Sequence, residues 1–334
     1  MKRRPALLFA LLSLAAAALF AVDLTTGAVS IPLSDVWAAL TGGEVSAATA
    51  KIVRSIRLLK AVVAVAAGAA LAVSGLQMQT LFRNPLAGPY VLGISSGASL
   101  GVAIFLLGAP VLGLTGGGAA ASLGVAGAAW VGSAIVLAVI AAVGRRIKEI
   151  MVMLILGMMF SSGVGAVVQM LQYLSHEDAL KSFVIWTMGS LGEVTAPQLA
   201  LLLPAVVLGL ALSVAAIKPL NLLLLGEHYA RTMGLDIRRS RQLIFLSTTL
   251  LAGTVTAFCG PIGFVGLAVP HVARMLFREA DHRILLPAAA LTGIVVLLVC
   301  DIVSKQLTLP VNTITALLGI PIVIWVVVRN QTAA

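Results

Sequence analysis

Long uncharged runs follow one another along the whole chain, parted by short clusters of charge, glycine and proline. Ten runs fall at 5–22, 61–80, 90–113, 121–144, 150–173, 195–217, 243–260, 262–277, 285–304 and 309–328. Most approach the roughly 20 apolar residues that a helix needs to cross bilayer hydrocarbon. The pattern predicts an all-α polytopic membrane protein, with ten transmembrane helices in a single domain over residues 1–334. Residues 183–192, "FVIWTMGSLG", are apolar but too few to cross, and read as a re-entrant or interfacial piece. The basic start before the first run has the look of a signal peptide. Its uncharged stretch from Pro5 to Val22 is nevertheless about as long as a bilayer requires, so it reads as the first span.

Composition supports this reading: 60% of residues are hydrophobic and 10% charged, against roughly 25% charged in soluble domains. A net charge of +10 would suit nucleic acid, but aromatic residues make up only 5% and offer no stacking face. In a membrane protein the basic excess marks cytoplasmic loops. With the N-terminus inside, only Lys51, Arg54, Arg57, Lys60, Lys181 and Lys305 of the 22 basic residues fall outside. Both termini are therefore expected in the cytoplasm. Lys51, Arg54, Arg57 and Lys60 recur every three residues before the second run. They read either as headgroup contacts, with local pairing to Glu44, or as a basic dock that steers an acidic partner.

Several chemistries are excluded by the residues themselves. No lysine follows a glycine, so the chain has no G-K-[ST] phosphate loop of its own. H-E-x-x-H is absent, His176, His228, His271 and His282 are scattered, and no nucleophile and base pair stands out. Cys259 and Cys300 show no ligand spacing and read as packing residues. His271, beside Pro270, reads as a cap. Ion-coupled carriers bury paired ionisable groups, whereas Asp301 is the only carboxylate close to a span interior. A secondary transporter without an ATPase is therefore the weaker alternative. No catalytic residue, metal site or cofactor of the chain's own is predicted.

A repeat runs through the glycines. Gly68, Gly75 and Pro85 share their spacing with Gly253, Gly260 and Pro270. Five predicted helices separate the copies, so they would run in opposite directions, as in the inverted halves of transporters. Close packing of small residues is the purely structural alternative.

The segment "LLLLGEHYARTMGLDIRRSRQLIFL", residues 222–246, concentrates polar and charged residues in a chain that otherwise avoids them. A solvated loop is one reading, with Glu227 and Arg231 pairing at i,i+4 for about 0.3–0.5 kcal/mol. A handle gripped by a cytoplasmic partner is the other.

"SGLQMQTLFRNPLAGPYVLGISSGASLG", residues 74–101, resembles the FecCD-type permeases of binding-protein-dependent ABC importers. The likeness continues through "LGEHYARTMGLDIRRSR", "GPIGFVGLAVPHVARML", "DHRILLP" and "LPVNTITALLGIPIVIWVV". It implies a ten-helix permease of two inverted five-helix halves in a bacterial cytoplasmic membrane. The implied partners are a second copy of the chain, two separate ABC ATPases that use ATP and Mg, a periplasmic or lipid-anchored substrate-binding protein, and membrane lipid. The implied cargo is a bulky metal chelate, with ferric siderophore ahead of haem and cobalamin.

Residue by residue, the resemblance implies a coupling loop over about 218–242, with Gly226, Glu227, Ala230, Arg231 and Gly234 at the ATPase. It implies a cytoplasmic gate at Asn84, Pro85 and Leu86, where proline breaks the helix. Binding-protein docking falls to Arg57, Lys60 and Lys305. The family's R-x-P-R motif here reads Arg57-Leu58-Leu59-Lys60, so the proline is lost and the second arginine is lysine. Charge survives that change, but the bidentate fork does not.

Overall fold

The computed structural model describes residues 3–108, 119–144, 147 and 149–331. Among the described residues all regular structure is helical. The α-helices are α1 (Arg3–Thr25), α2 (Leu33–Thr41), α3 (Ala47–Ile52), α4 (Leu58–Leu81), α5 (Ile94–Ala103), α6 (Ala119–Gly144), α7 (Ile150–Leu174) and α8 (Glu177–Thr187). They continue with α9 (Ala196–Ala215), α10 (Ile217–Leu224), α11 (Glu227–Thr232), α12 (Ile237–Cys259), α13 (Val265–Phe277), α14 (His282–Leu307) and α15 (Val311–Gln331).

Every predicted run falls on a helix. Seven helices are long and apolar enough to cross a membrane, and Ile94–Gly108, Val265–Phe277 and Val311–Val326 are shorter apolar helices. Residues 109–113 of the third run, and Lys2, Arg145, Arg146 and Lys148 of the basic loops, lie outside the described residues. The 183–192 piece is the end of α8 and the turn after it, where Gly189 takes φ +71° and Ser190 N–H bonds the Cys259 carbonyl.

Helix α4 is the axis of the bundle. Its sequence is rich in alanine and free of proline, and from Ala61 to Leu81 every residue except Val62 and Val65 is buried. Small residues let neighbours approach from every side, and α14, α12, α13 and α9 enclose this helix. Glycine makes the closest crossings possible. A methyl on Gly68 would stand 2.4 Å from the Gly293 carbonyl oxygen in α14, and one on Gly75 only 1.6 Å from that of Gly266 in α13. Helices α5 and α6 use the same device at Gly97 and Gly132.

Polar side chains then fix the packing. Gln77 of α4 donates to Ser247 at 3.1 Å and accepts from Thr248 at 2.8 Å, both on α12. Ser247 in turn meets Ser213 of α9 at 2.8 Å.

The two glycine copies do not perform matching jobs. Gly68 and Gly75 are close contact points with neighbouring backbones, whereas Gly253 faces the side chains of Ser133 and Ile94 at ordinary distances and Gly260 ends α12 with φ +72°. Their common spacing therefore carries no argument for inverted halves.

Candidate functional site

At one end of the bundle, α9 leads through α10 into α11. Leu220 and Leu223 of α10 are buried against Met78, Leu81 and Phe82 at the end of α4. Gly226 begins α11 with φ +99° and Gly234 follows it with φ +82°. Both conformations favour glycine, and together they turn α11 away from the flanking helices. Ala230 is buried beneath the short helix, while His228, Tyr229, Arg231, Thr232 and Met233 face outward. Tyr229 and Met233 are 55% and 56% exposed.

The pairing within this loop is not the i,i+4 pair of the solvated-loop reading. Glu227 bonds Arg241 of α12 at 2.5 Å, not Arg231. The reason is geometric: Glu227 and Arg241 are both partly withdrawn from solvent, whereas Arg231 lies on the outer face of α11. Glu227 therefore ties α11 to α12, and Arg231 has no ion pair among the described residues.

Beside this loop, α4 stops at a built break. Arg83 takes the left-handed conformation at φ +47°. The Asn84 N–H bonds the Gln79 carbonyl, and Asn84 Oδ1 accepts the Leu86 N–H at 2.9 Å. The Pro85 carbonyl lies 2.8 Å from His271 Nε2. Because a carbonyl can only accept, that nitrogen carries the proton. His271 thus serves as a cap, reaching from α13 to satisfy the carbonyl just beyond the end of α4. Pro85 and Leu86 are exposed, and Asn84 is half-buried.

The opposite end holds the three cations expected to dock a partner, and the chain itself engages all of them. Arg57 is buried, donating to the carbonyls of Leu24 at 2.9 Å, Thr25 at 2.8 Å and Val29. Those carbonyls belong to the end of α1 and the turn after it, where orphan acceptors and the helix dipole favour a cation. Lys305 Nζ lies 2.8 Å from both Asp23 Oδ1 of α1 and Asp301 Oδ2. Lys60 Nζ lies 3.1 Å from Asp301 Oδ1 and keeps a fifth of its side chain exposed.

A cavity of about 400 Å³ opens over Lys60, Asp301, Lys305 and Glu193. Asp301 is thus not the only carboxylate in the interior. Asp23 joins it, because α1 continues three residues past the predicted end at Val22. The paucity of buried ionisable pairs therefore offers no argument against an ion-coupled carrier. Two carboxylates face two ammonium groups, and the cluster ties α1, α4 and α14 together. Among the described residues no group of three His, Cys, Asp or Glu could hold a metal ion.

Seven helices long and apolar enough to cross a membrane, packed around a broken axial helix, give the architecture of a polytopic membrane protein. The chain belongs to the FecCD transport family, whose model matches residues 14–329. It is 37% identical over 318 residues to the haemin transport system permease HmuU of Yersinia pestis, covering 91% of this chain and 90% of that one. It is 36% identical over 294 residues to the vitamin B12 import system permease BtuC of Salmonella paratyphi A, covering 86% and 87%. A solved structure described as an inward-facing conformation of a metal-chelate type ABC transporter superposes with a TM-score of 0.84. It is 29% identical and covers 97% of this chain and 99% of its own.

Proposed function

We propose that this chain is the permease subunit of a binding-protein-dependent ABC importer in a bacterial cytoplasmic membrane. In this reading it moves a bulky metal chelate by ATP-driven alternating access. The observation that carries the proposal is α11: a helix set off by two left-handed glycines, exposed on one face, and backed through α10 onto the end of α4. An ATPase subunit that grips this handle displaces α10, and the break at Asn84, Pro85 and Leu86 opens or closes the pathway. ATP and Mg belong to that subunit, and the permease contributes no catalytic group of its own.

Ten transmembrane helices in two inverted five-helix halves, with both termini cytoplasmic, form part of the same proposal. It treats residues 1–334 as one transmembrane domain with the coupling loop over about 218–242. Lys2, Arg3 and Arg4, together with the basic residues of 231–241, would then lie on the cytoplasmic side, as positive residues do. A second copy of the chain completes the pathway, with two ATPases below and one binding protein above.

The outer dock acquires a specific form. Lys60 and Lys305 receive an acidic side chain of the binding protein in the 400 Å³ cavity, where it competes with Asp23 and Asp301 for them. Arg57 holds the end of α1 behind them.

The cargo is a metal chelate. Ferric siderophore is the first candidate from the sequence, and the likeness to a haemin and a vitamin B12 permease supports haem and cobalamin as the other two. The test is uptake into proteoliposomes that contain the permease, its ATPase and its binding protein, with ferric siderophore, haemin and cobalamin supplied separately. ATP-dependent accumulation of one of the three is expected. Accumulation of any of them without ATP would contradict the importer reading and favour a secondary carrier.

A further inference from the structure

The hydrogen bonds beneath α10 support one more assignment, which rests on the reading of α11 as the ATPase handle. Asn221 sits in the middle of α10, shortly before Gly226 turns the chain into α11. Its Oδ1 accepts the His282 backbone N–H at 2.8 Å and lies 2.8 Å from His282 Nδ1. Its Nδ2 donates to Asp281 Oδ1 at 2.6 Å. A carboxamide oxygen can only accept, so His282 Nδ1 carries a proton. The other ring nitrogen, Nε2, lies 2.9 Å from Thr80 Oγ1 of α4. His282 and Thr80 are both buried, and Thr80 stands one helical turn before Asn84.

An unbroken chain of polar contacts thus runs from α10, through the first residue of α14, to the last turn of α4. Elsewhere α10 meets α4 through Leu220 and Leu223. Apolar contacts are non-directional and allow one helix to slip past another. Hydrogen bonds are directional, and breaking one here leaves a buried polar group unsatisfied. The polar chain therefore forces α4 to follow α10 where leucines alone would not.

We propose that Asn221, His282 and Thr80 are positioning residues that transmit movement of the ATPase handle to the segment 84–86. Thr80→Val keeps the shape of the side chain and removes its hydroxyl, whereas Thr80→Ser keeps the hydroxyl. The readout is maleimide labelling of Leu86→Cys, with Cys259→Ser and Cys300→Ala as background, in the permease–ATPase complex with and without ATP. Thr80→Val should leave ATPase binding and hydrolysis intact and shrink the ATP-induced change in labelling rate about tenfold, within the range of ordinary coupling free energies. Thr80→Ser should restore it.

Asn221→Ser, at a half-buried position, should produce a similar loss and serves as the readout if Thr80→Val does not insert. The double variant should lose no more than either single one, because both cut the same chain. Labelling changes equal to the parent's in Thr80→Val or Asn221→Ser, or fully additive losses in the double variant, would overturn the linkage while leaving the handle intact. A parent permease that binds no ATPase would overturn the handle reading, and the linkage with it.

Discussion

At the α11 end, α4 is keyed to α14 by the Thr80 hydroxyl and the His282 imidazole, with the Asn221 amide of α10 beyond them, while Gln79 of α4 accepts from the Arg274 guanidinium of α13. At the opposite end the same two helices are tied by full charges, with Lys60 and Lys305 set against Asp301 and α1 joined through Asp23. The difference shows what each end can respond to. A neutral hydrogen bond depends on angle and distance, so it transmits displacement and has few competitors in an apolar setting. A cluster of charges is costly to leave half-paired, but another charge can enter it. On the proposed reading, one end suits mechanical input and the other a charged partner.

The largest expected effect comes from breaking the charged end. Asp301→Leu leaves Lys60 unpaired and Lys305 with Asp23 alone. Loss of one partner from a buried ion cluster typically costs about 3–5 kcal/mol. Denaturation in detergent should show a loss of that order. The neutral end should lose less: Asn221→Ala leaves the His282 donors without their acceptor, for about 1–3 kcal/mol. Equal losses at both ends would erase the distinction.

Between the two ends, α4 passes α13 with no room for a side chain. Gly75→Val must push the helices apart, costing about 1–3 kcal/mol as overpacking. Gly127→Ala, where nothing lies within 4 Å, is the control and should unfold like the parent. The smallest effect concerns the cap at the start of α14. Asp281 accepts the Arg283 N–H at 2.9 Å, and Asp281→Ala should cost about 1 kcal/mol.

The Arg283 backbone N–H, followed by the Asn221 amide, holds the Asp281 carboxyl below its ordinary value of 3.8. A carboxyl depressed in the folded state contributes stability that is fully present above pH 3.8 and is lost as pH falls through the folded value. Denaturation midpoints of parent and Asp281→Ala should therefore differ by the same amount at pH 7 and pH 5, and converge only at more acid pH.

What could be read from the sequence was local. The ten runs are visible because apolar stretches announce themselves residue by residue, and α11 because two glycines bracket a charged segment. The break at Asn84 and Pro85 needs only the properties of proline.

The interior of the two ends was hidden for a different reason. Asp23 falls just past the apolar run that ends at Val22, and its partner Lys305 lies 282 residues away. Thr80 and His282 are 202 residues apart. No periodicity reports a contact across that distance. The setting of Arg57 was hidden in the same way: nothing near it in sequence shows that the carbonyls at the end of α1 claim it. The paired glycines misled in the opposite direction, because equal spacing carries no information on whether a glycine serves a crossing or a turn.

The central claim is that ATP hydrolysed on a separate subunit acts through α11. Arg231→Glu combined with Gly234→Trp changes only exposed positions of that handle, one of them a left-handed glycine facing open space. The measurement is ATPase pull-down together with ATP-driven chelate uptake in vesicles, on a permease shown by detergent denaturation to be folded. The account predicts a folded permease, destabilised by about 1–2 kcal/mol because position 234 sits at φ +82°, with loss of both ATPase binding and uptake. Normal binding and normal uptake in the folded double variant would contradict it.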